Sequence, residues 1–255
     1  MSTAFAPGKC ILFGEHAVVY GHPAVAVSID SGVEITIEES EDWEINNQYN
    51  TDGFEKFNPK KHPHIQHIIK DLFEYEGKPL RINVQSNLFS GAGLGSSAAL
   101  SNAMGAALHQ FTKPDKEIDL IKLSKIGHSA EAATQEGRAS PTDSAASSLG
   151  GCVVVSGERI DTLQHVFDTS LVTPEGKRSW SIHHAELHKN INQSWLVLGF
   201  TGQSSPTGKM VSGVAERLKK NHDLYQEMES IENITIAGLT ALKAGNLEAV
   251  GMAMN

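Results

Sequence analysis

This 255-residue chain is most informative at one glycine-rich segment, Ser90-Gly91-Ala92-Gly93-Leu94-Gly95-Ser96-Ser97-Ala98-Ala99. Three glycines alternate with other residues and lead directly into two serines. Because glycine has no Cβ, its backbone amides can approach an anion closely, and the free N–H groups that begin a helix attract negative charge. Serines also cap ordinary helices, but three glycines exceed what a cap requires. We therefore predict a phosphate-binding loop formed by Gly91, Ala92, Gly93, Leu94, Gly95, Ser96 and Ser97.

The two common nucleotide fingerprints do not describe this loop. A Walker loop needs a Gly-Lys pair followed by Ser or Thr at a fixed spacing, and Gly208-Lys209 is followed by Met210. The dinucleotide pattern needs a third glycine where this chain has Ser96. The phosphate group must therefore be bound in another way.

Strand-like and helix-like patterns alternate on both sides of the loop. Apolar runs predict strands at 10–13, 24–29, 33–38, 80–84, 152–155 and 195–200. Helical spacing predicts helices at 64–75, 96–111, 115–133, 143–149, 207–220, 224–244 and from 247 onward. The polar stretch 40–61 is interpreted as an exposed loop or ragged hairpin, and 161–192 as a connection between domains. This mixed order predicts an α+β fold.

Charge and composition exclude some classes of partner. With 30 Asp and Glu residues against 21 Lys and Arg residues, the formal net charge is −9, and no dense basic run offers a nucleic-acid surface. No apolar run approaches the roughly 20 residues of a membrane-spanning helix, and the first residues lack a secretory signal. Cys10 and Cys152 lie in apolar runs, which suits core positions in a reducing compartment. We expect a soluble cytoplasmic protein that binds a small molecule.

A second informative segment runs from residue 6 to residue 26. Lys9, Glu15 and His16 lie close to one short strand and its following turn, among apolar residues. Charged or titratable groups in apolar surroundings call for a functional reason, although each alone could be a surface residue. We interpret the three as part of a binding site.

A third segment, 137–151, places Asp143 after a proline turn at the head of a short helix. Its simplest interpretation is a helix N-cap. The preceding helix offers Glu131 and Glu136, either of which could direct a carboxylate toward bound phosphate through Mg²⁺. Without the other two segments, the cap interpretation of Asp143 would be preferred.

These segments together resemble the GHMP kinase superfamily and, within it, the mevalonate kinase family. Residues 7–26 are similar to the motif PGKxILxGEHxVVxGxPAxA, and residues 91–99 to the phosphate loop GxGLGSSAA. Residues 140–151 resemble the catalytic-aspartate segment, and 200–207 a turn that opens the C-terminal lobe. The resemblance implies a two-lobed fold with a ribosomal-protein-S5-domain-2-like lobe at 1–185 and a truncated ferredoxin-like lobe at 186–255.

The resemblance also implies a reaction, the ATP-dependent phosphorylation of mevalonate at its C5 hydroxyl. The loop would hold the ATP phosphates, and Ser97 with Glu131 would ligate Mg²⁺. Asp143 would accept or orient the hydroxyl proton, with Lys9 beside it as the second catalytic residue, and Glu15 and His16 would contact mevalonate. Other substrates of the superfamily, namely phosphomevalonate, homoserine or a sugar, remain alternatives, and the family suggests a homodimer.

The sequence departs from the family pattern in three ways. Phe89-Ser90 stands where the family has a proline before the loop, and the spacing of Glu131 leaves Glu136 as a rival metal ligand. The superfamily's second glycine-rich loop, of the form TGAGGGG, has no counterpart in this chain. We expect either a fragment of a longer protein or a shortened form, for which a non-catalytic nucleotide-binding role is the alternative.

Overall fold

A computed structural model describes residues 1–47, 53–89, 91–135, 137, 139–173, 176–203, 207–221 and 223–255. Eight strands of the described residues form one mixed sheet with the path β4-β3-β5-β2-β6-β8-β7, and β1 pairs with β2. The strands are β1 (Ser2–Phe13), β2 (Ala24–Glu39), β3 (Glu44–Asn47), β4 (Glu55–Lys56), β5 (Leu80–Ser86), β6 (Cys152–Ser156), β7 (Gln164–Thr173) and β8 (Gly176–His184).

Apart from the short helix α5, which was not predicted, the helices follow the order that the sequence predicts. They are α1 (Pro63–His67), which continues as a π-helical turn at Ile68–Leu72, α2 (Ser96–Thr112), α3 (Leu120–Thr134), α4 (Thr142–Leu149), α5 (Lys189–Asn192), α6 (Thr207–Lys220), α7 (Leu224–Ala244) and α8 (Leu247–Met254). A short 3₁₀ turn at Ala17–Tyr20 follows β1. No helix within the described residues is long and apolar enough to cross a bilayer.

The hairpin of β1 and β2 is the centre of the sheet. The sequence predicts two strands at 24–29 and 33–38, but β2 is one continuous strand that pairs with β1, β5 and β6. It continues through Gly32, where a Cβ would collide with the carbonyl oxygen of Ala6, and whose N–H donates to Asn87 Oδ1 at 2.7 Å. Glycine therefore lets β1 approach β2 closely enough for the pairing to extend past the polar residues 30–31.

The alanine-rich helix α2 packs against this hairpin. Ala99, Ala103 and Met104 are buried in one core cluster with Ile35 and Ile37 of β2. Small side chains let the helix lie close to the sheet and also to its neighbours α3 and α4. The end of the phosphate loop is consequently fixed by the main core of the protein.

The boundary predicted for α3 is wrong by several residues. The helix begins at Leu120 rather than Asp115, because Asp119 Oδ1 accepts hydrogen bonds from the N–H groups of Ile121 and Lys122. An aspartate N-cap of this kind satisfies two of the amides that a helix start leaves without partners. The ragged hairpin expected within 40–61 is found as β3 and β4, although residues 48–52 lie outside the described part.

The domain connection predicted at 161–192 is wrong, because β7 and β8 form a long hairpin there. Its first strand faces solvent on much of its surface, which explains the polar composition. Its second strand ends in buried residues, and Trp180 and Ile182 join the core beside Val153 and Val155 of β6. The prediction of a strand at 195–200 is also wrong, because these residues form no strand. The side chains of Trp195 and Val197 are 93% and 88% exposed.

The last helices contact the sheet on the side of β1. Leu239 and Leu242 of α7 and Val250 of α8 are buried with Phe13 and Val25. Gly238 lies directly against the Phe13 ring, where a Cβ would not fit. No strand follows β8 in the part of the chain that the structure describes.

Candidate active site

The glycine loop enters α2 through three left-handed residues. Gly91, Gly93 and Gly95 have φ values of 66°, 75° and 69°, which L side chains rarely adopt. Gly95 is the N-cap of α2, and neither Ser96 nor Ser97 makes a side-chain cap there. The serine hydroxyls are therefore not used as helix caps, and the first amides of α2 keep their positive potential for an anion.

Lys9 joins this loop to the catalytic segment. Its backbone N–H donates to Leu94 O at 2.9 Å, and its Nζ donates to Gly93 O at 2.8 Å. The same Nζ lies 3.2 Å from Asp143 Oδ1, and the lysine side chain is only 4% exposed. A Cβ at Gly95 would lie 2.8 Å from Lys9 Cγ, so the third glycine of the loop leaves room for the lysine.

Asp143 lies in the first turn of α4, with Pro141 at the N-cap, and its side chain is 23% exposed. The turn before α4 is held by His128, whose Nε2 donates to Ala139 O at 2.9 Å. Burial lowers the pKa of His128, so the imidazole is neutral and its N–H can serve as this donor. Asp143 thus presents its carboxylate from a fixed helix start rather than from a free loop.

Glu131 and Ser97 form the other polar pair of the site. Ser97 Oγ donates to Glu131 Oε1 at 2.8 Å, and Glu131 is buried on α3. Burial and the nearby Asp143 carboxylate raise the pKa of the Glu131 carboxyl, while Ser97 and Lys9 act in the opposite direction. The positive charge of Lys9 is therefore too small to favour the ionised form of Glu131, and a further cation nearby would favour it.

Glu15 and His16 lie in the turn between β1 and β2. Gly14 has a φ of 83°, and a Cβ there would collide with Pro23 O. His16 has a φ of 65°, an uncommon conformation for a non-glycine residue. The 3₁₀ turn that follows holds this conformation, since the N–H of Val19 donates to His16 O at 3.1 Å.

Two cavities meet at Asp143. A cavity of about 440 Å³ is lined by the glycine loop, with Leu88, Leu100 and Ile65 among its apolar residues. A smaller one of about 70 Å³ is lined by Lys9, Glu15, His16 and Glu131, among others. Gly93 and Asp143 line both, so a group bound in one cavity can react with a group bound in the other.

The structure brings the sequence-predicted site residues together around these cavities. Lys9, Glu15, His16, Glu131 and Asp143 line the smaller cavity, and the residues from Gly91 to Ser97 line the larger one. Glu136, the rival metal ligand, lies outside the described residues.

Sequence reasoning missed a positioning residue in the middle of α2. Asn102 is fully buried, and its Nδ2 donates to Ser144 O at 2.9 Å, which ties α2 to the turn that carries Asp143. Gly127 of α3 lies so close that a Cβ there would collide with Asn102 Oδ1. An asparagine inside a run of small apolar residues is the sequence signal that could have indicated this contact.

Two histidines near α1 lie at the site, although the sequence pattern around them favours the start of an amphipathic helix over a binding role. His62 and His64 line the larger cavity, and burial lowers the pKa of both imidazoles. His64 Nε2 lies 3.0 Å from Thr134 Oγ1, so α1 is attached to the end of α3 beside the site. Their sequence signal is weak, because they also belong to the polar start of an amphipathic helix.

The residues present suit a magnesium ion bound together with phosphate. The described residues contain no cluster of three or more His, Cys, Asp or Glu side chains for a metal ion. Mg²⁺, however, is usually held by one or two carboxylates plus substrate phosphates. The buried Glu131 carboxyl with its raised pKa, hydrogen-bonded to Ser97 and close to Asp143, is a donor set that a hard cation would stabilise.

The fold and the site define a class of small-molecule kinase. The family of GHMP kinases N terminal domains matches residues 63–151, which include the glycine loop, α2, α3 and α4. Phosphoryl transfer by such a site depends on positioning and charge neutralisation.

Sequence similarity over the whole chain identifies one family within this class of kinases. A mevalonate kinase from Methanothermobacter thermautotrophicus is 32% identical over 257 residues, which cover 100% of this chain and 75% of that protein. The chain belongs to the mevalonate kinase family.

Solved structures agree on the fold. The crystal structure of Methanococcus jannaschii mevalonate kinase matches with a TM-score of 0.67 and 24% identity, covering 99% of this chain and 75% of that one. That of L. major mevalonate kinase in complex with R-mevalonate matches with a TM-score of 0.66 and 18% identity, covering 100% and 73%.

Proposed function

We propose that this chain transfers the γ-phosphoryl group of ATP to the C5 hydroxyl of mevalonate, giving 5-phosphomevalonate and ADP. Membership of the mevalonate kinase family supports the substrate and the use of ATP. The observation that carries the proposal is the position of Lys9, whose Nζ contacts both Gly93 O in the phosphate loop and the Asp143 carboxylate.

The two cavities divide the reactants. The larger cavity, with the glycine loop along it, has room for a nucleotide whose phosphates lie at the amides of the loop. The smaller cavity, with Glu15 and His16 along it, receives the alcohol. Both open onto Asp143, so the hydroxyl of the alcohol and the terminal phosphoryl group meet beside one carboxylate.

The polar residues of the site then have distinct roles. Asp143 accepts or orients the hydroxyl proton, and Lys9 pairs with this carboxylate while its positive charge neutralises the phosphoryl group. Ser97 and Glu131 would hold Mg²⁺, which would further neutralise the charge of the phosphates. Glu15 and His16 orient mevalonate from the turn after β1.

We also propose that the chain is divided into two lobes, 1–185 and 186–255. The smaller cavity is lined by residues from 1–185 together with Val211 of α6, which belongs to 186–255. This shared lining supports a site between two lobes. A cytoplasmic homodimer completes the proposal, and light scattering on the purified chain measures the oligomeric state.

Release of ADP by the purified chain tests the reaction. Mg-ATP is supplied with mevalonate, phosphomevalonate, homoserine or galactose in parallel, and the Asp143→Ala variant serves as the control. We expect turnover selective for mevalonate and a loss of about 10²- to 10⁴-fold in the variant, the usual range for a general acid–base group. Turnover of another alcohol in preference to mevalonate would overturn the substrate assignment, and near-normal turnover by the variant would overturn the role of Asp143.

A further inference from the structure

Strand β1 has an outer edge that faces away from β2. Within the described residues β1 pairs with β2 alone, so no neighbouring strand lies along this edge. Beyond the register shift that follows Pro7, the glycine loop covers the edge, because the N–H of Lys9 donates to Leu94 O at 2.9 Å. The proposed reaction gives the part of the edge before that point, residues 1–7, no role.

The register of β2 shows which backbone groups of β1 face inward. Gly32 of β2 faces β5, since its C=O accepts a hydrogen bond from the N–H of Asn87 and its N–H donates to Asn87 Oδ1. Backbone groups alternate in direction along a strand, so Val33 faces β1 and bonds to its partner Ala6. The even-numbered residues in this part of β1 therefore direct their N–H and C=O groups toward β2.

The odd-numbered residues direct theirs outward. The backbone groups of Thr3 and Phe5 point away from β2, and they form no hydrogen bond with another described residue. The side chain of Phe5 is 52% exposed, although its ring lies against Gly32 of the neighbouring strand. Residues 1–7 thus present free donors and acceptors beside an exposed aromatic ring, which is a template for the addition of another strand.

This part of the edge lacks the features that keep sheet edges apart. Natural sheets use charged side chains, prolines and bulges for that purpose. The two ends of the sheet carry charge, since β4 consists of Glu55 and Lys56 and β7 contains Asp168. Residues 2–6 are Ser-Thr-Ala-Phe-Ala, without charge, proline or register shift. Such a segment is suited to pairing rather than to exposure.

We propose that the β1 strand of a second copy of this chain pairs with this edge, antiparallel, about a two-fold axis at Ala4. This inference rests on the homodimer in the proposed function and names its interface. With the axis at Ala4, Thr3 of one copy lies opposite Phe5 of its partner, and each such pair exchanges two hydrogen bonds. The outward N–H and C=O groups of both residues are then satisfied in both copies.

A second copy fits the edge because the segment is complementary to itself. The axis at Ala4 is the centre of residues 1–7, so the two copies overlap over the whole free segment. Met1 then lies opposite Pro7, which has no N–H, and the ladder ends where the glycine loop begins to cover the strand. No charged side chain lies in the paired segment, so the copies bring no like charges together.

Sedimentation of the purified chain and of two edge variants tests the interface. Thr3→Pro removes an outward N–H that the pairing with β2 does not use, and Phe5→Lys replaces the exposed ring with a charge. We expect the unaltered chain to sediment as a dimer, and either variant to raise its dissociation constant about 10- to 100-fold, because hydrogen bonds are lost on both sides of the axis. The matched control Val172→Lys, at a 78% exposed position on β7, should leave the constant unchanged.

A cross-link tests the register without weakening β1. At the axis, Ala4 faces its own copy as a non-hydrogen-bonded pair, with Cα atoms about 4.5 Å apart, which is within the range that a disulfide spans. Mild oxidation of Ala4→Cys should therefore give a covalent dimer. Val172→Cys and the unaltered chain, which has only Cys10 and Cys152, should give none. Absence of the covalent dimer from Ala4→Cys, or equal cross-linking of Val172→Cys, would overturn the proposed pairing.

Failure of the interface differs from failure of the proposed function. A dimer that persists unchanged in both Thr3→Pro and Phe5→Lys would overturn the β1 interface and leave the homodimer in place. A chain that sediments as a monomer at every concentration would overturn the homodimer and the interface together. ADP release from Mg-ATP and mevalonate examines the kinase reaction separately in either case.

Discussion

Lys9 Nζ lies 3.2 Å from Asp143 Oδ1 in surroundings where the lysine side chain is almost fully buried. The contact joins β1 to α4, two elements that are far apart in sequence, and the same ammonium group also holds Gly93 O at 2.8 Å. A buried cation therefore has two partners, one in the phosphate loop and one in the catalytic helix. Its position links the phosphate loop to the Asp143 carboxylate.

Removing this cation should reduce turnover more than it affects binding. In Lys9→Met the Asp143 carboxylate loses its partner and the phosphoryl group loses a neutralising charge, so we expect kcat to fall about 10²- to 10³-fold. Steady-state kinetics with Mg-ATP and mevalonate measure this. Lys56→Met on the exposed strand β4 is the matched control and should behave as the unaltered chain. A Lys9→Met enzyme with near-normal kcat would remove Lys9 from the catalytic residues.

Much of this site was predictable because its residues belong to short local patterns. The glycine alternation before Ser96 predicts a loop that leads directly into a helix, and α2 begins at Ser96 after three glycines with positive φ. The approach of Lys9 to Asp143 was expected from the family resemblance and not from spacing, since no local pattern brings β1 to α4.

The errors in the fold arise where burial depends on distant partners. The hairpin of β7 and β8 was missed because β7 faces solvent, so its sequence lacks the apolar alternation that indicates a half-buried strand. The stretch 195–200 has that apolar character, but among the described residues it has no neighbouring strand to pair with. Asn102 was missed because a buried amide is recognisable only once its partner, Ser144 O, is known.

The buried carboxyl of Glu131 should make stability depend on pH. Burial raises its pKa in the folded chain above the unfolded value, so between these two pKa values the folded state retains a proton that the unfolded state has released. The free energy of unfolding contributed by this group consequently falls as pH rises, by at most about 1.4 kcal/mol per pH unit. Glu131→Gln removes the titration, so the variant should gain stability relative to the unaltered chain as pH rises from about 5 toward neutrality and above.

Urea unfolding at a series of pH values measures this difference. The exposed Glu117 gives the control variant Glu117→Gln, whose stability should run parallel to that of the unaltered chain. Parallel profiles for Glu131→Gln as well would show that Glu131 has the same pKa in the folded and unfolded states. The assay should contain no Mg²⁺, since a bound cation would favour the ionised carboxylate.

Ser97 should be required for the metal rather than for the helix. Its hydroxyl donates to Glu131 and makes no cap to α2, so Ser97→Ala should cost little helix stability but raise the Mg²⁺ concentration for half-maximal activity several-fold. The matched control is Ser124→Ala on α3, a buried serine outside the two cavities. A Mg²⁺ titration of ADP release measures the effect, and identical titrations for Ser97→Ala and the unaltered chain would contradict a metal-ligating role.

Two glycines of the loop should differ in their tolerance of a methyl group. Both Gly93 and Gly95 have positive φ, so alanine at either position is strained by about 1 kcal/mol. A Cβ at Gly93 meets no atom within 4 Å, whereas a Cβ at Gly95 would lie 2.8 Å from Lys9 Cγ. Gly95→Ala must therefore move the lysine as well as strain the backbone.

Comparison of the Gly93→Ala and Gly95→Ala variants separates the effect of moving Lys9 from the effect of backbone strain in the loop. We expect Gly93→Ala to lose about 1 kcal/mol of unfolding free energy and Gly95→Ala about 2–3 kcal/mol, because overpacking adds to the strain. Only Gly95→Ala should also lower kcat in the manner of Lys9→Met, since the displaced ammonium no longer lies beside Asp143. Chemical denaturation and steady-state kinetics on the two variants measure both effects. If both variants lost kcat equally, loop conformation rather than the Lys9–Asp143 contact would control the reaction.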